Sequence, residues 1–146
     1  MAEPAIYEET IGVGAIGLCD QYPVDTIPHD LQVAAEIGGR GWVARFRGFD
    51  VFGSPSASRG RGLDVVAPGV GVICESASGR LTESSGTSFA APLVTGVLAC
   101  RLSQDAEYGK KKGKSRCEHA RRALLDTCSQ LGLSGTLQGA GMPRYP

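Results

Sequence analysis

"SSGTSFAAPLVTGVLAC", residues 84–100, sets Ser88 close behind a glycine and at the head of an alanine-rich apolar run that carries a proline. From Ser88 to Leu102 the sequence is apolar on nearly every side, and its length predicts a helix rather than a strand. A helix that is hydrophobic all round belongs in the middle of a protein, so this segment predicts the centre of a layered fold. Its first turn also suits chemistry. The leading N–H groups of a helix have no partner inside it and the dipole there is positive, so an oxyanion formed on an attacked carbonyl would find a donor and a favourable field. Gly86 lets the loop turn tightly, while Ala90 and Ala91 keep bulk away from the turn. Pro92, four residues on, has no N–H to offer the Ser88 carbonyl, so the first turn cannot close in the ordinary way. Serine and threonine are also ordinary helix caps, and on these grounds Ser88 is open to both readings, nucleophile or cap.

Upstream, "IGVGAIGL" (residues 11–18) is a continuous apolar stretch of the kind a strand buried on both faces shows, which predicts a parallel or mixed sheet. "LDVVAP" (63–68) and "VGVIC" (70–74) read as further short strands, and residues 75–85 as a polar loop. Between them, residues 19–55 read as a long, partly structured insertion, in which "LQVAAEI" and "WVARF" are possible short strands amid heavy glycine and proline punctuation. Downstream, "YGKKKGK" reads as a solvated loop. Ser115 and Glu118 fit a capping box, after which Cys117, Ala120, Leu124, Cys128 and Leu131 recur at helical spacing until Gly132. The tail, "LQGAGMPRYP", is loop-like. Apolar strands alternating with helices predict a single α/β layered domain.

The chain has 146 residues, enough for one domain, and 42% hydrophobic residues, enough for a core. Fifteen basic and fifteen acidic side chains cancel, so overall charge implies neither nucleic acid nor an anionic membrane as partner. "MAEPAIYEET" lacks the features of a secretory signal, and no stretch has the roughly 18 apolar residues of a membrane span. Five cysteines without a C-x-x-C pair suggest reduced thiols rather than a disulfide framework or a zinc site.

"GTSFAAPLVTG" resembles the serine signature of the subtilisin-like serine proteases, G-T-S-x-A-x-P-x-V-x-G, at Gly86, Thr87, Ser88, Ala90, Pro92, Val94 and Gly96. "TIGVGAIG" and "LDVVAPGVGVICES" resemble the family's strands before the active-site loop. "RRALLDTCSQLG" and "GAG" resemble its closing helix and last turn. The resemblance implies a three-layer α/β fold with a mostly parallel sheet, of which residues 1–146 would be the C-terminal portion. It implies that Ser88 is the acylating serine and gives its own N–H to the oxyanion, with Thr87 and Gly86 lining that region, and that the substrate is a peptide or protein. Calcium is possible by resemblance only, because no acidic loop here has convincing ligand spacing. The compartment stays open: the family is often exported, whereas this chain shows no signal and an odd set of thiols.

A serine hydroxyl is a poor nucleophile until a base takes its proton, and a third group must hold that base in the right tautomer. The family's aspartate motif, histidine motif and oxyanion asparagine are missing from this sequence. His29 lies in the insertion, and His119 is placed away from the apolar stripe of its helix, facing solvent. Asp64 matches a structural strand position of the family. The expectation is therefore a serine endopeptidase segment that is inactive alone and needs a separate N-terminal half carrying aspartate, histidine and asparagine. The alternatives are a catalytically dead protease-like binding module and a truncated gene product. A sheet cut through its middle would expose an apolar edge, which predicts poor solubility.

Overall fold

A computed structural model describes residue 7 and residues 9–145. Four strands form the main sheet: β1 (Val13–Leu18), β2 (Val43–Phe46), β3 (Phe49–Gly53) and β4 (Val65–Pro68), in the order β2-β3-β1-β4. β1 runs parallel to β4, with Val13 opposite Val65, and antiparallel to β3, with Leu18 opposite Val51. The main sheet of this chain is thus mixed, with one parallel pairing and two antiparallel ones. The cause is local. Arg47 and Gly48 take φ of 50° and 91°, the pair of positive values that a two-residue hairpin turn needs, and β3 folds back on β2.

β1 and β4 are buried on both faces, as their unbroken apolar runs predict. Ala15, Val65 and Ala67 pack on one side with Ala90, Val94 and Leu124; Ile16 and Val66 pack on the other with Val51, Leu131, Leu133 and Leu137. The first side is covered by α2 (Thr87–Ser103) and α3 (Gly113–Leu125), and the second by residues near the C-terminus. Within residues 19–55, "LQVAAEI" is not a strand but most of α1 (Ile27–Ile37), which packs on β3. Its buried positions are Pro28, Gln32 and Ala35, so a polar residue faces inward while Ile37 is 81% exposed. That inversion hides the helical period.

Three other expectations are corrected. Residues 75–85 are not all loop: β5 (Val72–Glu75) and β6 (Leu81–Ser84) form an exposed antiparallel hairpin held by backbone pairing. The downstream helix stops at Leu125 instead of running to Gly132, and Cys128 lies in β7 (Cys128–Ser129). Ser115 is not its cap; Lys112 is, and the Ser115 hydroxyl donates back to the Lys112 carbonyl. The tail contains a short helix, α4 (Gly135–Gln138), and β8 (Met142–Pro143), which pairs with β7. All five cysteines are free thiols. Among the described residues, no helix is long and apolar enough to cross a membrane.

Candidate active site

α2 begins one residue before Ser88, close to where the sequence puts it. Gly86 caps it with φ 156° and ψ 162°, a backbone conformation open essentially to glycine. The Gly86 amide donates to the Gly69 carbonyl at 2.7 Å, which ties the start of the helix to the loop leaving β4. No side chain caps the helix, so Ser88 in its first turn is not spent as a cap. Its side chain is exposed, and among the described residues nothing hydrogen-bonds its hydroxyl. Thr87 is half-buried beside it, Ala90 is fully buried beneath it, and Pro92 lies inside the helix. An open hydroxyl thus stands over helix N–H groups that lack internal acceptors, an arrangement able to present an attacking oxygen and to receive an anion.

The expectation of a fully buried α2 is corrected. Only Ala90 and Val94 are buried, because the sheet and α3 cover one side of the helix. Pro92, Leu93, Thr95, Gly96, Ala99 and Cys100 are exposed.

Among the described residues, neither histidine hydrogen-bonds Ser88. His29 sits on α1 with its Nδ1 4.0 Å from Asp30. His119, expected to face solvent, is three-quarters covered: its Nε2 is 2.7 Å from Asp105 and its ring stacks on Tyr108. The turn after α2 brings Asp105 and Tyr108 under α3 and accounts for this difference. Asp64 joins elements together: its carboxylate accepts from the Gly12 amide at 2.8 Å and from Arg121, whose other nitrogen donates to the Thr10 carbonyl. Cys19 offers no rival nucleophile. Burial pushes its thiol up to about 11, so it stays protonated near neutrality. Among the described residues no cluster of three metal-ligating side chains occurs.

The structure adds a network beside the first turn of α2 that no sequence motif announces. The Gly71 amide donates to Ser85 Oγ at 3.0 Å, and Ser85 Oγ donates to Glu83 at 2.9 Å. Tyr22, from the segment between β1 and α1, donates its hydroxyl to the Val70 carbonyl at 3.1 Å, and burial pushes that hydroxyl's pKa above its ordinary value.

A model of the subtilase family matches residues 1–142. The chain is also similar to a thermophilic serine proteinase of Bacillus sp. (strain AK1), at 31% identity over 134 residues. The match takes in 92% of this chain and 23% of that protein, so the chain spans about a quarter of the relative's length.

Proposed function

Since this chain belongs to the subtilase family, we propose that it is the nucleophile-bearing part of a serine endopeptidase, with Ser88 as the attacking group. The observation that carries this reading is the unspent Ser88 hydroxyl in the first turn of α2. In the proposed reaction Ser88 Oγ attacks a peptide carbonyl as a base takes its proton. The Ser88 N–H, with Gly86 and Thr87 beside it, lines the region that receives the oxyanion. Collapse expels the amine, which takes up the proton, and leaves an ester on Ser88 that water hydrolyses. Acyl transfer of this kind uses side chains and backbone alone and calls for no cofactor.

The base is the piece this reading still requires: among the described residues no hydrogen bond joins His29 or His119 to Ser88, and His119 is held by Asp105. We therefore propose that the isolated chain is inactive. Catalysis awaits a segment bearing the family's aspartate, histidine and asparagine, and the completed domain would have the three-layer, mostly parallel architecture. The same absence favours a second reading, a protease-like module that binds peptide without cleaving it.

A fluorophosphonate probe tests the choice. With a subtilase N-terminal segment supplied in trans or fused in frame, Ser88 becomes covalently labelled and Ser88→Ala abolishes the signal. The chain alone labels weakly or not at all. Absence of labelling in the complemented protein, with the fold intact, favours the binding module.

A further inference from the structure

Residues 19–55 place one side chain against the loop that carries the nucleophile turn. We propose that Tyr22, supplied by this insertion, is a positioning residue for Ser88; the inference rests on Ser88 being the nucleophile.

Three consecutive residues after β4 make the connection. Gly69 accepts the Gly86 amide at 2.7 Å, Val70 accepts the Tyr22 hydroxyl at 3.1 Å, and Gly71 donates to Ser85 Oγ at 3.0 Å. The outer two hold the residues just before Thr87 and Ser88. The middle one is where Tyr22 grips. Its hydroxyl also accepts from the Leu18 amide at 3.1 Å, so one oxygen bridges the end of β1 and the loop after β4. The ring lies against Gly71, where a Cβ would collide with it, and meets Phe52 edge-on with centroids 6.3 Å apart. Gly71 is therefore fixed from two sides, by the Tyr22 ring and by Ser85.

The base of this latch is itself tied down. The Cys19 amide donates to the Asp50 carbonyl at 2.8 Å, and the Asp20 amide donates to Oε1 of buried Gln32 on α1 at 2.9 Å. A loop between two strands, here residues 69–71 between β4 and β5, is ordinarily a more mobile part of a fold than the strands themselves, and an attacking oxygen displaced by 1 Å loses much of its rate. Tyr22 ties that loop to the rigid sheet, which gives the insertion a task in setting the nucleophile.

Tyr22→Phe removes the oxygen and keeps the ring, so the packing against Phe52 and Gly71 stays. Amide hydrogen exchange on the intact chain reads the latch directly. We expect faster exchange at Gly71 and Gly86, by about tenfold for the loss of a hydrogen bond worth about 1.4 kcal/mol, and no change at Gly12 and Ala140. Ser85→Ala accelerates exchange at the same amides, and the double variant falls short of the sum of the two. In the complemented enzyme, fluorophosphonate labelling of Tyr22→Phe shows a covalent rate about tenfold lower at unchanged reversible affinity, as expected for a misaimed nucleophile. Unchanged exchange at Gly71 and Gly86, or acceleration spread equally over all amides, overturns the latch. So does an unchanged covalent rate. If the wild-type complemented enzyme is never labelled at Ser88, the nucleophile reading fails instead, and the exchange data still decide whether Tyr22 holds the loop.

Discussion

Asp105 owes its low carboxyl pKa first to the hydrogen bond from His119 and then to the Tyr108 and Glu107 amides, which together outweigh the opposing effect of burial. Its folded value lies below the ordinary 3.8, so the folded state favours the carboxylate. The resulting stability is present above the ordinary value and disappears as pH falls through the folded one. On acidification from about pH 5 to about pH 2 the wild type should therefore lose more stability than Asp105→Asn, which never had this contribution. Urea denaturation midpoints across that range check the difference, and parallel curves would remove the pair from the acid response. His119 illustrates what a helical wheel leaves out. The wheel orients a side chain relative to its own helix, whereas the partners of His119 arrive from the preceding turn. Ser88 was legible because its signal is contiguous; Tyr22 was not, because the residue it grips lies 48 positions away.

The elements divide in the same manner. α2 was readable within a residue at each end, since a long apolar run with glycine before it leaves few options. β6, "LTES", was not readable as a strand, because neither face of its hairpin is buried and no alternation marks it. α1 was lost to the inward Gln32 and outward Ile37. Glycines in these elements should respond to alanine in opposite senses. Gly96 lies within α2 with nothing near the place a Cβ would take, so Gly96→Ala should stabilise this chain by about 0.5–1 kcal/mol. Gly141, at φ 105°, would drive a Cβ into the Ser129 carbonyl, so Gly141→Ala should destabilise by at least about 1–3 kcal/mol. Chemical denaturation of the two variants measures both; equal shifts would contradict the packing described here.

Viewed whole, the molecule leaves much apolar surface in water. A cleft of about 750 Å³ opens along the sheet, walled by Ile16, Leu18, Phe49, Val51 and Ile73, and the outer side of α2 adds Leu93. Phe49 is 60% exposed and Ile73 65%. Contiguous patches of this kind favour association. Sedimentation velocity should show the isolated chain growing in mass as concentration rises, and a single sharp monomer at every concentration would refute this. The strand order carries a last implication, for assembly in time. β3 is finished at Gly53, whereas β4 begins only at Val65. During synthesis from the N-terminus, the hairpin can therefore claim one border of β1 before β4 exists to take the other. The first turn of α2 hangs on the loop after β4, so Ser88 reaches its place only once that second border has been filled.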